Sequence, residues 1–297
     1  SGVLTTFGNT VMRSTSVSDG NLFVEVFVTR DLYPLKGVSS TPSSTVGADA
    51  DNPFMITDEE DFKYINNALY ANYRIVAPDN KITFSSFETI GEGLFFTGKI
   101  DGKTAASGSA EEGEVVSLDG VTDALVWYNK GTISDLSVNV NYTRNLGRNE
   151  NAEFGAIAKY NKGAIRNVIV SGDIVINGGN SVTASGFVGV DYGGVIDNSS
   201  IKNSISSIDI TVNGAGSVFI GGYIGKVIGT TTVNFAIGQG NIFLIDCPSY
   251  YAGWLIGSIE GNLEIELSLI KDYAYTINIV TDGVSETIIS DLTNYTG

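Results

Sequence analysis

The sequence predicts an all-β fold, a right-handed parallel β-helix or solenoid with a short N-terminal capping helix and β-hairpin flanks. Three observations predict it. A segment of about 32 residues recurs, with aligned glycines 131, 163, 194, 229 and 261 spaced 32, 31, 35 and 32 apart. Each recurrence joins a small, apolar, Gly-bearing stretch to a strand of period two. Glycine is abundant at 36 residues while proline is scarce at 5, a balance that suits many tight turns.

In chain order, residues 1–35 hold two apolar runs, Val3–Val11 and Leu22–Thr29, around Ser18-Asp19-Gly20-Asn21. Asp-Gly between β-rich runs predicts a hairpin, a segment suited to assembly. Residues 36–52 are rich in Ser, Thr and Gly and read as a linker. Thr57-Asp58-Glu59-Glu60 has the spacing of a capping box, with Thr57 as N-cap and Glu60 reaching back to it. Phe62, Ile65 and Leu69 then share a helical face, so a helix here closes one end of the stack.

The solenoid is expected over residues 53–270. Asn129-Lys130-Gly131-Thr132-Ile133 aligns with Asn161-Lys162-Gly163-Ala164-Ile165 and with Tyr192-Gly193-Gly194-Val195-Ile196. Weaker copies surround Gly229 and Gly261, so Asn129, Gly131, Asn161, Gly163, Gly194, Gly229 and Gly261 are read as structural turn residues. Preceding strands are expected at 124–127, 154–157, 186–189, 221–225 and 253–257. Leu136, Val138 and Val140 alternate with polar residues, as do Ile208, Ile210 and Val212, the pattern of one buried and one wet face. One unit cannot bury its inner face alone, but stacked units can. A β-sandwich with coincidental spacing is the alternative. Tyr275–Val280 and Glu286–Ser290 flank Asp282-Gly283, a second hairpin within a cap at 271–297.

These units resemble the GLUG-motif family of β-helical repeats, found in bacterial surface proteins, adhesins and some large extracellular proteases. The core of that motif is an apolar Gly-rich strand, then Asn-x-Gly-[Thr/Ala]-Ile-x-Asn and a β-strand. The match is close at 124–141 and 154–176 and fades toward 269. Phe96-Thr97-Gly98-Lys99-Ile100-Asp101-Gly102-Lys103 is similar to the coil that introduces the repeats in such proteins. The resemblance implies a solenoid fold and a place at the cell surface, and implies little about activity.

Composition narrows the function. Lys plus Arg total 17 against 33 Asp plus Glu, a formal charge of −16, which disfavours nucleic acid and anionic lipid as partners. With no histidine, Ser-His-Asp and Cys-His chemistry is excluded. The single Cys247 excludes an intrachain disulfide and reads as a small buried hydrophobe. Gly98 to Thr104 has three residues between its glycines where a P-loop has four, so no nucleotide site is expected. Asp49-Ala50-Asp51-Asn52 lacks the glycine and closing Glu of a calcium loop, and Glu111, Glu112 and Glu114 read as a wet insertion tip. Asp135, Asn167 and Asp197 occupy nearly equivalent positions and are read as a ladder of corner residues, while Glu264 and Glu266 share a strand face. Tyr250, Tyr251 and Trp254, with Phe95 and Phe96, are candidate sugar-stacking residues, core packing being the plainer reading. Sequons stand at Asn141, Asn198 and Asn294.

No catalytic residue, metal ligand or cofactor is therefore expected. The expected function is a non-enzymatic extracellular or surface solenoid, acting as adhesin, stalk, or subunit of a filament or virion appendage. It would be secreted with its signal removed, and would bind a host or matrix glycan or protein, or associate with itself. The alternative is a glycan-binding or polysaccharide-degrading β-helix protein.

Overall fold

Ile133 pairs in parallel register with Ile165, and Ile165 with Ile196, so side chains some thirty positions apart lie in one column. The computed structural model in which they do so describes residues 10–15, 23–28, 47, 51–102, 115–198, 206–234, 238–266 and 274–291. The column continues through Phe54, Tyr73 and Ile100 below and Val233 and Ile265 above, eight rungs in all. At ~4.8 Å per rung it is about 34 Å long. Six of its members between Tyr73 and Val233 are at most 2% exposed, so the column is the spine of the core. The fold is a parallel β-solenoid.

Three faces make up each coil. The first face stacks Val126–Asn129, Ala158–Asn161, Val188–Asp191, Ile224–Val227 and Ile256–Ile259. The second stacks Asn151–Gly155, Ser181–Ser185, Ser217–Gly221 and Tyr250–Gly253. The third is built on two long strands, Thr132–Leu146 and Ala164–Gly178, paired in parallel along almost their whole length. Both bend at a residue in the left-handed region, Asp135 (φ 60°) and Asn167 (φ 52°). Asp and Asn tolerate that conformation better than other non-glycine residues. Beyond the bend, Tyr142, Ile174, Ile210, Ile242 and Ile277 form a second core column.

The corner ladder sits one residue from its expected place. Arg166 pairs with Asp197, so Asp197 continues the Ser134 column, and Asn198 takes the corner position after Asn167. Asn167 Nδ2 donates to Asp135 Oδ1 at 3.1 Å. Asn198 is buried and copies a strand edge: its Oδ1 accepts from Val168 N at 3.0 Å and its Nδ2 donates to Val168 O at 3.1 Å. Of the three sequons, Asn141 is exposed, Asn198 is sealed inside, and Asn294 lies outside the described residues.

The repeat glycines sit in the turns between the first and third faces, and what demands glycine there is crowding rather than a left-handed backbone. Gly98, Gly131, Gly163 and Gly194 stack in one column, none with positive φ. A Cβ on Gly131 would stand 2.0 Å from Gly98 O, and one on Gly163 2.3 Å from Gly131 O. The register then places Thr231, two residues beyond Gly229, above Gly194. Gly229 instead packs on Tyr192, and Gly261 on Gly229, as a separate pair. From the end of the first face the turn takes two steps in Asn161–Gly163, three in Asp191–Gly194 and four in Val227–Thr231, two more than in the early coils, which shifts the pattern that the sequence aligned.

The helix also starts one residue late. It spans Glu59–Lys63 with Asp58 as N-cap, the Asp58 side chain accepting from Asp61 N. Asp61, not Glu60, reaches back, accepting from Thr57 N at 3.0 Å and Thr57 Oγ1 at 2.6 Å. Phe62, Ile65 and Leu69 are buried as expected, and Phe62 packs edge-on against Phe84 at 4.9 Å. Gly47 and Asn52, at the end of the expected linker, are joined by Gly47 N to Asn52 O, and Gly47 docks on the second rung by accepting from Asn72 N.

Both hairpins form. Thr10–Thr15 pairs antiparallel with Phe23–Val28 as a separate two-stranded sheet, and most of Val3–Val11 lies outside the described residues. Ala274–Thr281 extends the third face in parallel, and Val284–Asp291 then returns antiparallel through Asp282-Gly283, both at positive φ.

Candidate functional site: an axial groove at a re-entrant corner

Four of the five stretches expected as single Gly-rich strands are corners between two strands. The chain leaves the second face at Gly155, turns at Ala156-Ile157, and enters the first face at Ala158. The same happens after Ser185, Gly221 and Gly253. In the first three strands of the second face the inward residues are buried, as Ala152 and Phe154 are, so Glu153 and Gly155 point outward. A Cβ on Gly155 would nonetheless meet Gly189 N at 2.3 Å, and one on Gly225 would meet Gly189 O at 2.7 Å and Thr183 Cγ2 at 2.8 Å. Outward atoms of the two faces collide only if the outer surfaces turn toward each other. The corner is therefore re-entrant, and glycine recurs there because two backbones meet on its concave side.

Stacked over successive coils, this corner makes a groove parallel to the solenoid axis. One wall is the column Glu153, Thr183, Phe219, Tyr251. The other is Tyr128, Tyr160, Val190, Lys226, Ser258. Thr183 and Val190, at mid-length, are only 7% and 5% exposed, so the groove is filled at that rung and its accessible side chains lie on either side of it. Trp127 stands at the N-terminal mouth.

Cross-wall contacts fix the geometry. The Tyr160 hydroxyl donates to Glu153 Oε2 at 3.2 Å, and Lys159 Nζ lies 3.7 Å from the same oxygen. Lys159 Nζ sits 4.1 Å from the centre of the Trp127 ring, a cation–π contact. Tyr128 lies 5.8 Å from Tyr160 and stacks with Tyr192 at 5.9 Å, while Phe95 meets Tyr128 edge-on at 4.9 Å. At the other end Phe219 and Tyr251 are parallel within 1° at 5.3 Å, and Lys226 bridges Phe219 to Glu260. Burial, then the Glu153 charge, pushes the Tyr160 phenol well above its ordinary value; burial, then Tyr192, raises that of Tyr128. These rings stay protonated donors at any physiological pH.

The expected sugar-stacking residues divide. Tyr251 is 59% exposed in the groove wall, whereas Tyr250 continues the inward column of Val182 and Val218 and is exposed on the last rung of that face. Trp254 is half-buried at the corner and packs against the core, and Phe96 is wholly buried. Phe95 is half-buried, with Lys130 Nζ 3.4 Å from its ring centre. Trp127, Tyr128, Tyr160, Tyr192, Phe219, Glu153, Lys159 and Lys226 were not anticipated. One signal was present: Tyr128 and Tyr160 each immediately precede the repeat asparagine.

Other candidates resolve as structure. Lys99–Asp101 is a strand whose Lys99 Nζ pairs with Asp101 Oδ2 at 2.9 Å, and Lys103 and Thr104 lie outside the described residues. Cys247 is buried, and burial raises its thiol pKa. Glu264 and Glu266 lie on the last rung of their face. Asp49, Ala50, Glu111, Glu112 and Glu114 lie outside the described residues. Among the described residues no group of three metal-ligating side chains occurs, and no helix is long and apolar enough to cross a membrane. No family model matches the sequence, and no curated protein matches it.

Proposed function

We propose that this chain is a non-enzymatic structural and adhesive β-solenoid, working outside the cell as a surface protein or appendage subunit. The observation that carries this reading is how the repeat residues are used. Asn129, Asn161 and the stacked glycines are all engaged in holding coil to coil, while rings and paired charges line the re-entrant corner. The resemblance to GLUG-motif surface proteins and the net charge of −16 support the same reading. Glu153 and Glu260, the carboxylates paired with the groove lysines, belong to coils three rungs apart, an axial offset of about 14 Å between their backbones. That exceeds both separations that glycoside hydrolysis uses, about 5–5.5 and 6.5–9.5 Å.

The experiment is retention of the full chain, coupled to beads, on glycan- and matrix-coated surfaces, with reducing-sugar release followed in parallel. Retention without release is expected. Release that rises with time would overturn the non-enzymatic reading, and absence of retention the adhesive one.

A further inference from the structure

We infer that the axial groove binds a linear, uncharged glycan lying parallel to the solenoid axis, an assignment that rests on the adhesive reading and gives it a ligand class. Four features of the groove select this ligand. Its walls are sheet faces, and their backbone groups are already committed to the parallel ladders on both sides. A peptide strand adds to sheet edges, so it finds no main-chain partner here, and recognition must run through side chains. Those side chains are rings with polar groups between them: Trp127, Tyr128 and Tyr160 toward one end, Phe219 and Tyr251 toward the other, and Glu153, Lys159 and Lys226 between. Rings stack on the C–H faces of sugars, while hydroxyl, amine and carboxylate groups meet their hydroxyls.

Charge supplies the third feature. The chain as a whole is strongly acidic, yet each groove lysine is matched by one carboxylate, Lys159 by Glu153 and Lys226 by Glu260. A charge-balanced lining within an acidic molecule disfavours polyanions and offers no excess of charge to a polycation. Length is the fourth. Tyr128 to Ser258 spans five rungs, about 19 Å, so the lining matches a chain of several sugar units rather than a single ring. The groove is also preformed, since its rings and ions brace one another across the corner, which limits the ordering cost of binding.

The test is affinity electrophoresis and titration calorimetry of the full chain with xylan, mixed-linkage β-glucan and galactomannan as neutral probes, and polygalacturonate and heparin as anionic ones. A proline-rich peptide serves as the protein-type competitor. Binding to at least one neutral glycan is expected, little changed between 50 and 500 mM salt. Tyr251→Ala and Phe219→Ala should weaken it about tenfold each with the thermal midpoint held close to that of the parent, and Trp127→Ala likewise. Lys162→Ala, on an exposed turn, should bind as the parent does. Failure to bind any neutral glycan overturns the assignment, as does salt-sensitive binding to the anionic probes alone, capture of the peptide alone, or groove variants that bind unchanged. Groove variants that still adhere to coated surfaces would leave the adhesive reading standing while removing the groove from it. Release of reducing sugar by a chain whose groove variants lose binding would do the reverse to the non-enzymatic reading.

Discussion

Asn161 Nδ2 donates to Asp191 Oδ2 at 2.7 Å, and this bond sets the direction of a line of buried amides. One coil below, Asn129 Nδ2 donates to Asn161 Oδ1 at 2.8 Å. Each asparagine also turns its own oxygen to a repeat glycine, Gly131 N and Gly163 N. The line must end on a group that only accepts, and a carboxylate is such a group. Asp191 Oδ1 closes it by accepting from Gly193 N, Gly194 N and Thr231 Oγ1 at 2.8, 2.7 and 2.5 Å.

Asp191→Asn is therefore not conservative. Whichever way the new amide faces, its NH2 meets a donor, so at least one buried donor is left unpaired at about 1–3 kcal/mol. The urea midpoint should fall with an unchanged m-value. Thr231→Val, which removes one of several donors to the carboxylate, should cost less. Equal midpoints for Asp191→Asn and the parent would show that the line has no polarity.

Two glycine substitutions separate crowding from backbone strain. Gly163→Ala introduces a Cβ 2.3 Å from Gly131 O at ordinary φ, and should lose about 3 kcal/mol, the upper part of the overpacking range. Gly214 has φ +68° and open space around its absent Cβ, so Gly214→Ala should lose only about 1 kcal/mol. Chemical denaturation of the two variants reads the difference directly. A reversed order would refute the crowding account.

Glu59 carries a pH dependence. Its carboxylate accepts from Ser85 N at 2.8 Å and Ser86 N at 3.2 Å, and pairs with Lys63 Nζ at 3.1 Å. The Ser85 amide first, then Lys63 and the remaining donors, hold its pKa down at about 2 against the partial opposition of burial. A carboxylate with a lowered folded pKa stabilises the fold above its ordinary value and loses that contribution as pH falls toward 2. Glu59→Gln should melt below the parent at pH 7, and the gap should close near pH 2. A gap constant with pH would place the effect in packing instead.

Asn198→Ala should destabilise by about 1–3 kcal/mol for each group of Val168 left unpaired. Asn198→Asp keeps the shape but turns an oxygen toward the Val168 carbonyl, so at pH 7 it should not restore stability. Thermal midpoints of the two variants check this, and a full recovery in Asn198→Asp would show that hydrogen-bond polarity at the corner is unimportant.

Much of the architecture was legible because the repeat encodes stacking. Ile133, Ile165 and Ile196 announce a column through spacing alone, and the period-two strands announce which side is wet. The departures share one cause: sequence spacing follows the chain, whereas register follows the backbone ladder. Two extra turn residues before Thr231 break the glycine alignment, and Asp197 sits beside the corner rather than on it. The groove was less legible because its walls come from two different faces. Glu153 and Tyr160 are close only because the corner between them folds back on itself, a curvature that no periodicity records. The glycines that permit it were visible, but as features of a strand.

The stack also behaves as a ruler. Because the coils of Asn129 and Asn161 meet through the same kinds of contact, duplicating one whole unit between Gly131 and Gly163 would lengthen the molecule by a single increment of about 4.8 Å and repeat a junction it already has. Descendants of such a chain can lengthen by copying, without inventing a new interior.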